Sequence, residues 1–401
     1  MPQPPRHPRR RAPPPHRHRE GPRREGQYLH DALRRPARPL CAARVRPPRR
    51  GAHHRPHDAD VAPAHPAGRA RPRAGRGAAV RIVFLGAGAF GIPTLDALAR
   101  GHDLRAIVTQ PDKPAGRSRA LTPTPIGVWR DEHAQGTPIF KPRDINDPDA
   151  PDALHAVRAI GADAWVIIAY GQKLGEPLLE DRFAINLHAS LLPRWRGAAP
   201  INHAILAGDT QTGNSVITIA QRMDAGLVLG QSRRPIEPTR TAGELHDDLA
   251  SDGPALVLRV LDEFAHDTLK PVEQDEALVT RATKLGRADG WVDFHRPARE
   301  CRCRVHALTP WPGVDVRCGA EPLRLLRVQD LEPDAQQLTV APPGQLLDAA
   351  EGVIACAGGT ALRLLEVQPP GKNPMAWREY QRGRADRVVR GVRFEGGPPP
   401  C

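Results

Sequence analysis

Asn186 and His188 stand two residues apart at the end of the apolar-rich run Phe183-Ala-Ile-Asn-Leu-His188. An extended strand repeats its side-chain direction every second residue, so both polar groups are expected on one face, with Ile185 and Leu187 on the other. If the run belongs to a parallel α/β sheet, its carboxyl end is where ligands bind. An amide able to polarise a carbonyl, beside an imidazole able to move a proton, points to acyl-group chemistry.

The elements that must hold this pair begin abruptly at residue 81, where Arg-Ile-Val-Phe-Leu-Gly86 reads as a strand. A helix over 92–100 and a strand over 103–109 follow, then a Pro/Arg/Gly-rich loop over 110–125. Further strands are expected at 163–169, 183–188 and 214–220, with helical segments at 126–135, 150–160, 200–207 and 241–266. Such β-α alternation implies a mostly parallel sheet with helices on both faces. Thr241-x-x-Glu244 has the form of a capping box, and Gly253-Pro254 should break or kink the helix it starts. Residues 267–290 are polar and read as a linker. Beyond Trp291 one helical patch, 298–308, precedes strand-like runs at 323–328, 353–356 and 361–367, the spacing of a small β-barrel.

One motif pulls elsewhere. Gly86-Ala-Gly88-Ala-Phe-Gly91 opens the first helix and satisfies the dinucleotide fingerprint, with Asp112 about 20 residues on, where a ribose-binding acid would sit. Asp112, however, falls past the second strand and beside basic residues. A glycine turn is also what tight strand–helix packing demands, and that reading ranks first.

The formal charge of +13 is a property of one end of the chain. Residues 1–80 hold 20 Arg, no Lys, five acidic residues and 16 Pro, a net of +15, whereas residues 81–401 net −2. The body is close to neutral, so its charge says nothing specific about partners. Three readings compete for residues 1–79. A disordered tail, or a stretch translated from a misplaced start codon, ranks first; an Arg-rich nucleic-acid-binding arm ranks second. A targeting peptide ranks last, because no apolar region follows the charged start. No apolar run approaches the roughly 18 residues that span a bilayer. The cysteines Cys41, Cys301, Cys303, Cys318, Cys356 and Cys401 are scattered. Cys301-Arg-Cys303 lacks the four ligands of a zinc site, so no metal is expected, and free thiols suit a cytoplasmic protein.

Asn186-x-His188, Ser190-Leu-Leu-Pro193 and Arg194-Trp-Arg-Gly-Ala-Ala-Pro200 together resemble the folate-dependent formyltransferases, most closely those that formylate methionyl-tRNA. Gln110-Pro-Asp-Lys-Pro-Ala-Gly-Arg117, Ala169-Tyr-Gly171, Lys284-Leu285, Thr309-Pro-Trp-Pro-Gly313 and Gln368-Pro-Pro-Gly-Lys372 resemble other family segments in the same order. The last is similar to the family's final strand. The resemblance runs from about residue 81 nearly to the C-terminus.

What the resemblance implies is specific. Residues 80–266 would be a Rossmann-like catalytic domain taking 10-formyltetrahydrofolate as co-substrate, and 291–401 a barrel resembling an OB-fold that holds initiator methionyl-tRNA. Asn186, His188 and Asp224 would form the catalytic group, and Ser190, Leu191, Leu192 and Pro193 the folate-side turn. Asp224 follows the strand over residues 215–219 at what reads as another sheet end, where it could orient His188 or relay a proton. Arg117 and Arg119 resemble a basic insertion that probes the tRNA acceptor end; without the resemblance they read as solvated surface charge. Two segments depart from the family pattern: the first glycine loop, and Gly226-Leu-Val-Leu-Gly230, which lacks an acidic and hydroxyl pair. The expected assembly is a monomer. Alternatives are a formyltransferase for an amino-sugar nucleotide, an NAD(P)-binding oxidoreductase built on Gly86, Gly88 and Gly91, and a non-catalytic RNA-binding protein.

Overall fold

The computed structural model describes residues 79–115, 120–147, 151–331 and 341–398. The Arg/Pro-rich first 78 residues, Arg117 and Arg119 lie outside the described residues, as do Cys41 and Cys401. Seven strands form the first sheet: β1 (Arg81–Gly86), β2 (Asp103–Val108), β3 (Ile139–Phe140), β4 (Ala164–Ile168), β5 (Phe183–His188), β6 (Gln211–Thr218) and β7 (Val228–Pro235). Their spatial order is β7-β6-β5-β4-β1-β2-β3. Pairings from β3 to β5 are parallel, while β6 and β7 join antiparallel.

The composition of each strand explains its place. Ile82, Val83, Phe84 and Leu85 are all fully buried, so β1 is apolar on both faces, as the centre of a parallel sheet requires. Helices α1 (Ile92–Gly101), α2 (Pro125–His133), α3 (Pro151–Ala159), α4 (Pro200–Leu206) and α5 (Ala242–Ala265) connect the strands. Proline stands in the first turn of α1, α2 and α4, where its missing N–H has no intrahelical partner to lose. Helix α5 starts at the expected capping box: Thr241 Oγ1 accepts from Glu244 N at 3.4 Å, and Glu244 Oε2 accepts from Thr241 N at 2.9 Å.

The break that Gly253-Pro254 could have made in α5 does not occur. The helix continues through Gly253-Pro254 for 24 residues. An internal proline costs about 3 kcal/mol, but α5 buries Leu245, Leu249, Leu256, Val257, Val260 and Leu261, each contributing about 1.5–3 kcal/mol. Gly253 has a packing role instead: a Cβ there would lie 2.7 Å from Leu187 Cδ2 and 3.0 Å from Thr94 Oγ1. The missing side chain lets α5 press onto β5.

The C-terminal region pairs α6 (Ala298–Ala307) with a sheet of β8 (Val314–Cys318), β9 (Glu321–Leu331), β10 (Leu346–Asp348), β11 (Val353–Ala355), β12 (Ala361–Gln368) and β13 (Phe394–Glu395). The order β10-β11-β12-β9-β8-β13 is antiparallel throughout, and a bridge between Gln345 and Arg393 brings its two edges together. The result is the small, nearly closed barrel expected. β12, which ends in the Gln368 motif, is not the last strand, since Met375–Ala376 pairs with it and β13 follows.

The two parts meet over polar contacts. Arg327 Nη2 reaches Glu244 Oε1 at 2.6 Å, Arg302 Nη1 donates to Pro238 O at 2.9 Å, and Asn202 Nδ2 donates to Ala307 O at 2.7 Å. Among the described residues no helix is long and apolar enough to cross a membrane.

Candidate active site

Strand β5 lies between β4 and β6, and its alternation is as expected. Ile185 and Leu187 join the core under α5, which leaves Asn186 and His188 on the opposite face. Asn186 is half-buried, and its amide has no hydrogen-bond partner among the described residues. A half-buried amide with free donors suits a ligand carbonyl.

His188 is held at both ring nitrogens. Nε2 lies 2.9 Å from Trp195 O, and because a carbonyl only accepts, Nε2 carries a proton. Nδ1 faces Asp224 Oδ1 at 3.7 Å, with the two side chains 7% and 13% exposed. In the imidazolium form both N–H groups therefore have an acceptor before them. That gap is too long for a strong hydrogen bond and short enough for Coulombic pairing.

Asp224 arrives by an unexpected route. β6 runs antiparallel to β5, with Ser215 opposite His188 and Thr218 opposite Ile185. The chain therefore leaves β6 at the level of Ile185, and the β6–β7 connection must return about 10 Å along β5 to reach His188. The expected sheet end is thus replaced by a folded-back hairpin turn. Asp224 occupies the left-handed region at φ +54°, a costly conformation that the surroundings must hold. Gly197 N donates to its Oδ2 at 2.9 Å, and Gln274 Nε2 donates to its carbonyl at 2.8 Å.

The turn after His188 is locked from beneath. Ser190 is fully buried and its Oγ donates to Arg194 O at 2.7 Å, so this hydroxyl shapes the turn. Ser215 Oγ donates to Ser190 O at 2.7 Å and accepts from Leu192 N at 3.0 Å and Gln231 Nε2 at 2.9 Å. Leu192 is buried, whereas Leu191 and Pro193 are half-buried. All three line a cavity of about 440 Å³ with Gln231, Arg233 and Leu278. In the altered segment after Asp224, Leu229 is buried in the core, while Val228 forms a main-chain bridge with Val272.

Residues that read as a linker also build this site. Thr280 Oγ1 accepts from Trp195 N at 2.9 Å, and Arg281–Ala282 pairs with Arg196–Gly197. Arg196, 8% exposed, donates to Gln274 Oε1 at 2.8 Å and Glu276 Oε1 at 3.0 Å. Hydrogen bonds from Arg196 and Arg222 hold the Glu276 carboxyl below its ordinary range. No local pattern distinguishes a Gln in a polar stretch from any other, so these partners were invisible in the sequence.

The glycine fingerprint is a packing turn. A Cβ on Gly86 would lie 2.6 Å from Phe84 and 2.9 Å from Ile168 O, and one on Gly91 3.0 Å from Phe84. The Ala87 amide donates to Ala169 O and the Gly91 amide to Gly88 O, so neither faces an open cradle. Asp112 pairs with Lys141 at 2.7 Å.

A family model for formyl transferase matches residues 80–261, and one for the formyl transferase C-terminal domain matches 284–385. The chain is 40% identical over 309 residues to the methionyl-tRNA formyltransferase of Methylococcus capsulatus, covering 76% of this chain and 97% of that one. It is 41% identical over 322 residues to that of Chromohalobacter salexigens, covering 79% and 97%. Among solved structures, an N-formyltransferase from Helicobacter canadensis in complex with folinic acid and dTDP-3-aminofucose superposes with a TM-score of 0.53. It shares 12% identity over 71% of this chain and 98% of that one. HypX from Aquifex aeolicus, in complex with tetrahydrofolic acid, superposes with a TM-score of 0.51 at 16% identity, covering 75% and 47%. At these identities the two structures speak for the fold alone.

Proposed function

The chain belongs to the formyl transferase family, and from that premise we propose that it moves a formyl group from 10-formyltetrahydrofolate to the α-amino group of methionine on initiator methionyl-tRNA. The observation that carries the catalytic assignment is the aim of His188 Nδ1 at Asp224, beside an Asn186 amide that has no partner among the described residues. The amine attacks the formyl carbon, a C–N bond forms and the carbonyl electrons move to oxygen. Asn186 Nδ2 donates to that oxygen, and a charged His188 stabilises it; such a donor is worth roughly 3 kcal/mol of barrier. Collapse breaks the bond to the donor nitrogen, which takes up the equivalent of the proton that the attacking amine gives up. Asp224 compensates the charge on His188 and orients the ring.

In this reading residues 80–266 carry the chemistry, 291–401 hold the tRNA and 267–290 connect them. Leu191, Leu192 and Pro193 face the folate, with Ser190 shaping their turn. Arg117 and Arg119 would approach the acceptor end. The protein would work as a monomer in the cytoplasm, where both substrates are found. Identity of 40–41% over alignments that cover 76–79% of this chain supports a tRNA acceptor over an amino-sugar nucleotide. Incubation with 10-formyltetrahydrofolate and either charged initiator tRNA or a dTDP-amino sugar separates the two. Formylation of the methionyl-tRNA alone is expected; formylation of the sugar alone would overturn the acceptor assignment.

A further inference from the structure

We propose that Gln274, on the segment joining the two domains, is a positioning residue that sets the aim of Asp224 at His188. The inference rests on the assignment of Asp224 and His188 to the catalytic group. Gln274 Nε2 donates to two main-chain carbonyls of the same turn, Asp224 O and Gly226 O, both at 2.8 Å. Its Oε1 accepts from Arg196 Nε at 2.8 Å. One side chain therefore touches both halves of the clamp on His188. Arg196 stands between Trp195, whose carbonyl accepts from His188, and Gly197, whose amide donates to Asp224 Oδ2.

The chemistry calls for an amide at this position. Two carbonyls of one turn need two N–H donors, and the Arg196 guanidinium needs an acceptor. Glutamine supplies all three without charge, whereas a carboxylate of equal length would satisfy Arg196 and repel both carbonyls. The left-handed backbone of Asp224 (φ +54°) makes the restraint consequential, since a strained turn relaxes when its holding bonds are lost. The segment itself has other anchors. Val272 and Val228 exchange two main-chain hydrogen bonds at 2.8 and 2.9 Å, and Arg281–Ala282 pairs with Arg196–Gly197. Loss of the Gln274 side chain should therefore be felt at the turn before it is felt in the fold.

The test compares Gln274→Ala, Gln274→Glu, Asp224→Asn and the Gln274→Glu/Asp224→Asn pair in the full chain, by formylation of methionyl-tRNA. Gln274→Glu and Gln274→Ala should lower kcat roughly 10- to 100-fold, the effect of a misplaced catalytic group, with KM for both substrates within about twofold of wild type. The double variant should be no slower than Asp224→Asn, because both changes disable one device. If Gln274→Ala melts early, Gln274→Glu, which keeps the length and the Arg196 contact, carries the comparison. A wild-type kcat in Gln274→Glu, or a double variant that loses the product of the two factors, would overturn the proposal. Wild-type activity in Asp224→Asn would instead sink the site assignment beneath it.

Discussion

Asp224 Oδ1 lies 3.7 Å from His188 Nδ1, although the strand that delivers Asp224 leaves the sheet opposite Ile185. The pair exists because the β6–β7 connection folds back over β5 and is then pinned by Gly197 and Gln274. The site is thus an assembly of three chain segments around one imidazole, and each makes a separable contribution.

Asn186→Ala should remove the donor to the developing oxyanion. Because its amide has no partner within the described residues, truncation leaves no buried group stranded and the melting temperature should barely move. The expected loss in kcat is roughly 10²- to 10³-fold, the range for one oxyanion donor. Single-turnover formyl transfer with saturating donor measures it.

Ser215→Ala probes the turn after His188. Ser215 is fully buried and its hydroxyl serves Leu192 N, Gln231 and Ser190 O at once. Alanine would leave these groups unsatisfied, at a cost of about 1–3 kcal/mol. Leu191–Pro193 should then loosen, raising KM for the folate donor more than KM for the tRNA. Thermal melts and paired Michaelis curves read both effects.

Much of this was legible in the residues. Period-two alternation placed Asn186 and His188 on one face of β5, and Thr241-x-x-Glu244 announced the start of α5. Other features depend on distant partners. Gly253-Pro254 looks like a break until the apolar faces around it are counted, and Gly253 is a glycine because Leu187 and Thr94 crowd it. Gln274 and Thr280 sit in a polar stretch whose meaning comes only from the strand it lies against. The return of Asp224 to His188 follows from an antiparallel strand, which apolar runs alone do not distinguish from a parallel one.

Stability should fall with acid in two windows set at the domain contact. His306 is fully buried; its Nδ1 donates to Pro238 O at 3.0 Å and its Nε2 accepts from Val328 N at 3.1 Å, so it is neutral. Burial pushes its pKa down to about 4 from 6.5. A depressed folded value means this contribution is complete above pH 6.5 and is lost as pH falls through 4, about 3 kcal/mol in all. Hydrogen bonding to Arg327 holds Glu244 at about 2, below its ordinary 4.5, so its contribution persists above pH 4.5 and is lost towards pH 2. Melting temperature against pH should therefore be level above 7 and decline below 6.5. His306→Gln should flatten the decline between 6.5 and 4.

The most direct measurement is the single-turnover rate of formyl transfer from 10-formyltetrahydrofolate to methionyl-tRNA by the wild-type protein and His188→Ala. The wild type should formylate the tRNA, and the variant, folded and binding tRNA normally, should be slower by roughly 10²- to 10⁴-fold, the range of a lost proton-transfer or charge-stabilising group. A variant rate equal to that of the wild type would contradict the account.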